Sequence, residues 1–378
     1  MLTEKEIFRY DRQIKLDAVG LTGQEKLKAA KVLIIGAGGL GCPVIQYLAA
    51  AGIGHITIID GDVISESNLQ RQILYNQIEI GLPKAETAAA KAKLINPYIQ
   101  VNHIYDFLNN QLALSLFKDY SLVIDCCDNF GTRYLVNDVC TLYKIPFISS
   151  ALFRLEGQIG TFNVQQADGT YSSNYRDVFP ETQKSSDSLD CNEAGVISTL
   201  PGIMGMYQAN EALKYFLAPE KCCTNKITII NAWDFNQIEL EVSKNTESET
   251  IYTKQEIETT NYHLPCKTHV TSVIDVTELN QLLSKGTTLI IDVREEKEIP
   301  EIISEKIIKA PLSTLENNLS RFAESDNIVF VCKSGVRSKK ALHLFENKYP
   351  NKKCYSFKYG IEVLAENLIN HNYPITYA

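Results

Sequence analysis

A chain of 378 residues exceeds what one ordinary hydrophobic core fills, so two domains are expected. Its hydrophobic content of 45% is that of a soluble globular protein, and a net charge of −8 argues against broad binding to nucleic acid or an anionic membrane while leaving room for a local basic pocket. No apolar stretch approaches the roughly 20 residues that span a bilayer, and Met1-Leu2-Thr3-Glu4 lacks a signal-peptide layout, so a cytoplasmic protein is expected, with ten cysteines that are reactive or buried thiols rather than disulfides.

Residues 5 to 30 read as a helical lead-in carrying Arg9-Tyr10-Asp11-Arg12-Gln13. On charge alone its two arginines form a solvated helix face. The segment from Lys31 to Gly41 then runs from a β-branched strand, Val32 to Ile35, into four glycines, Gly36, Gly38, Gly39 and Gly41, and a helical stretch from Pro43 to Ala51. Glycines at a strand-to-helix turn let backbone N–H groups approach a phosphate, and the helix N-terminus adds unpaired donors and a positive dipole end. The next strand, His55 to Ile59, ends in Asp60, where a carboxylate accepts hydrogen bonds from ribose hydroxyls. Strand, glycines, helix, strand and acid in that order predict a nucleotide-binding α/β fold.

Ser67-Asn68-Leu69-Gln70-Arg71-Gln72 follows in a polar segment too long for a minimal turn, and Pro83-Lys84 opens an alanine-rich helix over 84–95. A lysine in a first helical turn opposes the dipole preference, which suggests an anionic ligand, although an exposed lysine is the ordinary explanation. Strand 121–125 runs into Cys126-Cys127-Asp128-Asn129, placing polar groups at the carboxyl end of a parallel strand, where open α/β sheets bind ligands. The strand Ile145 to Ser149 and the alternating stretch Gly157 to Phe162 predict antiparallel additions to the sheet. Residues 165–195 form a polar loop carrying Cys191, a helix covers Leu200 to Leu217, and a strand lies near Ile227 to Ala232.

The composition changes near Val242. Residues 243–271 read as a linker between a first domain, 1–242, and a second, 272–378. The second has a buried strand at Thr288 to Val293 and another at Ile328 to Val331 that stops at Cys332-Lys333-Ser334-Gly335-Val336-Arg337-Ser338, ahead of a helix over 338–347. A thiol in such a turn meets backbone N–H groups, a helix N-terminus and Arg337, all of which favour the thiolate.

Taken together, these motifs resemble the ThiF/MoeB/HesA adenylyltransferases, relatives of ubiquitin-activating enzymes, here followed by a rhodanese domain. The motifs that carry the resemblance are Arg9 to Gln13, the glycine turn, Ser67 to Gln72, Pro83-Lys84, Asp125 to Asn129, Glu156-Gly157-Gln158, Cys191 before Glu193-Ala194-Gly195, and the Cys332 turn. It implies a Rossmann-like mixed sheet with helices on both faces plus a C-terminal α/β rhodanese domain. It also implies a homodimer that uses ATP and Mg²⁺ to adenylate the C-terminal glycine of a ubiquitin-like sulfur-carrier protein ending in Gly-Gly, before sulfur from a donor such as a cysteine desulfurase replaces AMP. Partners are then proteins and small molecules, not nucleic acid or membrane.

By this resemblance the glycine turn, Gly39 above all, and Asp60 contact the nucleotide. Ser67, Asn68, Leu69, Gln70 and Arg71 line its phosphates, Lys84 serves the β/γ end, Asp128 holds Mg²⁺ with Asn129 beside it, and Arg12 reaches ATP from the other subunit. Cys191 matches a position that bonds the carrier in the rhodanese-fused eukaryotic relatives. Cys332 and Arg337 match the persulfide turn, and Asp292-Val293-Arg294-Glu295 the acidic half of the rhodanese pattern. Molybdopterin synthesis is the first-ranked pathway, with thiamine-thiazole synthesis and tRNA thiolation as alternatives. An NAD-dependent oxidoreductase shares the glycines and Asp60 but gives no account of Arg71, Lys84 and Asp128. One departure stands out: where the family carries its first zinc-binding Cys-x-x-Cys, this chain has Asn174-Tyr175-Arg176-Asp177, and Cys266 stands alone in the second region, so no zinc is expected.

Overall fold

Strand β1 (Lys31–Ile35) sends Val32 and Ile34 to one face of its sheet and Leu33 and Ile35 to the other, as the two-residue period of a strand requires, and all four are buried. In the computed structural model this strand lies inside an eight-stranded sheet. The other members are β2 (His55–Ile59), β3 (Gln100–Ile104), β4 (Leu122–Asp125), β5 (Phe147–Phe153), β6 (Glu156–Phe162), β7 (Lys226–Asn231) and β8 (Gln237–Glu241), in the spatial order β3-β2-β1-β4-β5-β6-β7-β8. Pairing is parallel from β3 through to β5 and antiparallel from β5 to β8. The chain builds outward from β1 to β2 and β3, then returns to lay β4 on the opposite side of β1. That reversal opens a crevice at the carboxyl ends of β1 and β4.

The structure describes residues 1–180, 195–244, 253–262, 273–284, 288–304, 306–322, 325–333, 335–349, 352–370, 374 and 376–377. These fall into two units, Met1–Cys266 and Lys267–Ala378. In the first, helices Gly41–Ala51, Lys84–Ile95 and Thr199–Leu217 bury Leu48, Ala88 and Met204 with Val32 and Ile34. Helices Asn110–Leu116 and Phe130–Tyr143 cover Leu33 and Ile35 on the other face. Each fully buried aliphatic side chain contributes about 1.5–3 kcal/mol by leaving water.

The helical lead-in consists of two helices, Glu4–Ile14 and Gly20–Ala29. One sequence expectation changes. The segment read as linker contains a helix, Lys254–Thr259, that belongs to the first unit: Ile257 is fully buried, Asn110 Nδ2 donates to the Ile257 and Thr260 carbonyls (2.6 and 2.9 Å), and Tyr262 Oη donates to Asp138 Oδ2 (2.6 Å). Two apolar anchors in a polar stretch carry too little compositional signal to be noticed, yet they are enough to dock it.

The second unit holds a parallel sheet in the order β12-β10-β13-β14-β9, built from β9 (Val273–Ile274), β10 (Thr288–Asp292), β12 (Ile307–Lys309), β13 (Asn327–Val331) and β14 (Lys353–Phe357). A separate antiparallel pair joins β11 (Ile302–Ile303) to β15 (Thr376–Tyr377). Helices Leu312–Asn318 and Val336–Lys348 pack on one face, and Val276–Ser284 and Ile361–Asn370 on the other. No described helix is long and apolar enough to cross a membrane.

Candidate functional site

The turn after β1 exists because two of its glycines admit no side chain. Gly36 has φ +96°, and its N–H donates to Ile59 O across the sheet (2.8 Å). A Cβ on Gly41 would stand 2.1 Å from Gly36 O. The turn therefore folds flat onto the ends of β1 and β4, with its backbone facing the crevice. Asp60, at the end of β2, accepts from Ala37 N–H through Oδ2 (2.7 Å) and from Asp62 N–H through Oδ1 (2.8 Å). Burial raises its pKa, against the pull of those two donors and of Lys84.

Lys84 is not the exposed lysine that its position suggests. It is 5% exposed, its N–H donates to Asp62 O (3.0 Å), and its Nζ lies 2.9 Å from Asp62 Oδ2, while Asp62 itself faces solvent. Tyr75 Oη donates to Ala37 O (2.8 Å) and lies 3.3 Å from Lys84 O, tying the start of this helix to the glycine turn. Arg71 arrives from the other side: its Cγ lies 3.7 Å from where a Cβ on Gly39 would stand, and Nη1 donates to Ser67 O (3.2 Å). The Asn68 carbonyl accepts from both Arg71 N–H and Gln72 N–H, so Ser67 to Gln70 form the short turn that presents Arg71. Leu69 packs on the core, whereas Ser67 and Gln70 are exposed. Gln72 is a polar group that sequence reasoning did not single out. It is buried beside Gly38, and its Oε1 has no hydrogen-bond partner among the described residues.

At the end of β4, two aspartates three residues apart have opposite fates. Asp125 is fully buried and saturated, accepting from Cys127 N–H (3.0 Å) and Ser149 Oγ (2.6 Å) with Arg133 Nε 3.3 Å away. Arg133 Nη2 also donates to Cys127 O and Ser150 O, which pins the turn from beneath. Asp128 is exposed. Asn129 uses its Oδ1 to cap the helix Phe130–Tyr143 by accepting from Thr132 N–H (2.8 Å), so it fixes where that helix begins. Helix Thr199–Leu217 closes the back of the site, with Pro201 Cβ 2.9 Å from a Cβ position on Gly39. Asp60, Arg71 and Lys84 thus gather around the glycine turn, and Asp128 lies exposed three residues past the end of β4, the strand beside β1.

Arg12 is not brought to it within this chain. It is exposed on the first helix, while the adjoining motif residues act structurally: Arg9 Nη2 bonds Ile95 O, Tyr10 accepts from Asn96 Nδ2 (2.8 Å), and Gln13 Nε2 donates to Gln24 Oε1 (2.6 Å). Cys191 and Cys266 lie outside the described residues. At the position of the first expected Cys-x-x-Cys, Asn174 caps the short helix Tyr175–Val178, and Arg176 makes a two-pronged contact with buried Asp138, both at 2.7 Å. Among the described residues no three His, Cys, Asp or Glu side chains converge on a metal position. Burial pushes the Cys42 and Cys222 thiols up to about 12 and those of Cys126, Cys127 and Cys140 well above the ordinary range, so these five are packing residues.

In the second unit, Cys332 follows β13 directly, ahead of the helix Val336–Lys348. Its Sγ accepts from Gly335 N–H (3.1 Å) and lies 3.6 Å from Ser338 Oγ, which itself contacts Ser356 Oγ (2.9 Å). Gly335, at φ +84°, turns that N–H inward. Arg337 departs from expectation. Both its terminal nitrogens bond Glu298, so its charge is shared with a carboxylate and does not lie on the thiol alone.

A glycine turn ringed by charge on one unit and a thiol-bearing turn on the other define a two-part α/β enzyme. The ThiF family model matches residues 10–250 and the rhodanese-like domain model residues 275–367. Probable adenylyltransferase/sulfurtransferase MoeZ of Mycobacterium tuberculosis is 34% identical over 352 residues, 90% of this chain and 88% of that protein. A sulfur carrier protein adenylyltransferase of Thermus thermophilus is 39% identical over 243 residues, 64% of this chain and 90% of that protein. Among solved structures, PaaA matches with a TM-score of 0.54 and 26% identity, covering 65% of this chain and 76% of that one. The chain belongs to the ThiF family, carries a C-terminal rhodanese-like domain, and is an adenylyltransferase/sulfurtransferase.

Proposed function

We propose that the first unit adenylates the C-terminal glycine of a ubiquitin-like sulfur-carrier protein with ATP, and that Cys332 of the second unit delivers the sulfur that displaces AMP. The gathering of Arg71 and Lys84 at the glycine turn, with an exposed Asp128 past the end of the neighbouring strand β4, supports this reading. A carboxylate attacking the α-phosphorus of ATP meets repulsion between anions, so the site must supply positive charge as pyrophosphate leaves. In this reading Arg71 and Lys84 supply it, with Asp62 balancing Lys84 until the triphosphate arrives. Asp60 takes the ribose hydroxyls, the backbone of Gly36 to Gly41 faces the phosphates, and Gln72 beside Gly38, whose Oε1 has no partner among the described residues, gives the nucleotide one more polar contact. Asp128 and neighbouring Asn129 fit a Mg²⁺ site, the exposed carboxylate offering hard oxygen ligands, and the ion neutralises phosphate charge when bound.

The same reading makes the enzyme a cytoplasmic homodimer in which Arg12 completes the partner's site, with Cys191 as an acyl acceptor and a cysteine desulfurase as upstream donor. Molybdopterin synthesis is the preferred pathway, because relatives with both domains include a probable molybdopterin-synthase adenylyltransferase of Porphyra purpurea, 35% identical over 88% of this chain and 87% of that protein. ATP–pyrophosphate exchange tests the proposal. Exchange should depend on a carrier ending in Gly-Gly; exchange without a carrier, or none with any Gly-Gly carrier, would overturn it.

A further inference from the structure

The contacts of Arg337 raise a question that the thiol turn alone does not answer. An arginine two residues past Gly335 is well placed to attract an anionic sulfur donor, yet both its terminal nitrogens are taken by Glu298, one of them at 2.8 Å. This is not a loose surface pair. Glu298 Oε1 also accepts from Glu295 N–H (2.9 Å), and Glu298 N–H returns to Glu295 O (3.1 Å), closing a tight loop. The loop is held at both ends by Arg294, which is 1% exposed: Nε and Nη2 bond Asp292 at the end of β10, and Nη2 also donates to Pro300 O (2.8 Å). Ser313 Oγ donates to Glu295 Oε2 (3.0 Å) from a separate helix. The Glu298 carboxylate is therefore built into position, and Arg337 is clamped by it. The same loop adds exposed Glu295, Glu296 and Glu301 against Lys297, with Lys333 beside the thiol.

We propose that Glu298 is a specificity-determining positioning residue: by neutralising Arg337 it makes the Cys332 turn discriminate against doubly charged small donors such as thiosulfate, in favour of the persulfide of a thiol. This rests on the reading of Cys332 as the sulfur carrier. With a thiol persulfide, the Cys332 thiolate attacks the outer sulfur, the new S–S bond forms as the old one breaks, and the donor leaves as a thiolate with the bonding pair. With thiosulfate the leaving group is sulfite, and the approaching donor brings two negative charges to a rim where Arg337 is already matched by Glu298. Repulsion of that kind acts on binding more than on the chemical step.

The test uses the full chain and two probes that carry the same sulfane sulfur, thiosulfate with two charges and methanethiosulfonate with one, with cyanide as acceptor. Glu298→Gln should raise the ratio of kcat/KM for thiosulfate over methanethiosulfonate about tenfold, mainly through KM, because one rim charge is removed and Arg337 released. Glu298→Asp should restore a ratio close to wild type, and Arg337→Ala added to Glu298→Gln should cancel the gain. In the unaltered protein the same ratio should rise with added salt, a readout that does not depend on how any variant folds. A ratio unmoved or lowered in Glu298→Gln, or one that falls with salt in wild type, overturns the proposal. Labelled sulfur persisting on Cys332→Ala would instead overturn the underlying reading of the thiol, whatever the ratio does.

Discussion

The two strand-to-helix turns at the centre of the two units solve different problems with opposite economies. The turn after β1 carries no polar side chain, and the charged residues about it come from elsewhere: Asp60 from β2, Arg71 from a short turn and Lys84 from a helix start, with Asp128 exposed past the end of β4. The turn after β13 carries its own chemistry, with the thiol, the Gly335 N–H and Ser338 inside seven residues, and Glu298 and Ser356 reach it from elsewhere. A polyanion as long as a nucleoside triphosphate needs charge at several separated points, which only a sheet gathering many segments can supply. A single sulfur atom needs one cradle, and a local turn suffices. Adenylation should accordingly be sensitive to residues scattered through the chain, and sulfur transfer to a compact stretch.

Reciprocal inactivation is the sharpest way to break this contrast. Asp128→Ala should lower carrier-dependent pyrophosphate exchange by about 10³-fold or more with little change in melting temperature, since the side chain is exposed. Cys332→Ala should abolish sulfur labelling with exchange intact; a joint loss in either variant would mean that the two sites are not separable. Next in size is a purely structural effect. Arg176→Ala leaves Asp138, 1% exposed, without its guanidinium and should cost about 3–5 kcal/mol, read in denaturant melts of the first unit. Chelator should not reproduce that loss, and one zinc per chain that disappears on substituting Cys266 would show that a metal shares the work.

Lys84→Met should reduce exchange by about 10²-fold, with a raised KM for ATP, because the apolar stem keeps its burial while the charge is gone. The smallest effect concerns pH. The hydrogen bonds from Arg337 and then from Glu295 N–H hold the Glu298 carboxyl down at about 2, from an ordinary 4.5. A depressed carboxyl stabilises the fold above its unfolded pKa, so this contribution is complete above about 4.5 and fades as pH falls toward about 2. Melts of the second unit over that window should show a slope that Glu298→Gln flattens.

Much of this was legible in the chain. Strand, glycines and acid from Lys31 to Asp60 follow from neighbours a few residues apart, because steric limits on φ and the burial of alternate residues act locally. The same holds for Cys332 between a buried strand and a helix. The antiparallel strands after β5 were readable from the alternation around Gly157 to Phe162. Other features were not. Nothing near Lys84 says that it will be buried against Asp62, twenty-two residues earlier, and nothing distinguishes Asp125 from Asp128 until Arg133 and Ser149 reach one and not the other. The polar stretch around Ile257 reads as a linker, and burial of Ile257 and Tyr262 with the bonds to Asn110 and Asp138 makes it part of the first unit.

Local sequence, then, determined which segments become strands and turns and which residue types stand at their ends. Tertiary structure alone decided which charges meet: whether a lysine is free or paired, which of two aspartates is buried, and that Arg337 is held by Glu298. The reason is physical. Backbone conformation is set by short-range sterics and burial period, whereas the state of a charged side chain depends on partners and dielectric delivered by segments far away in the chain.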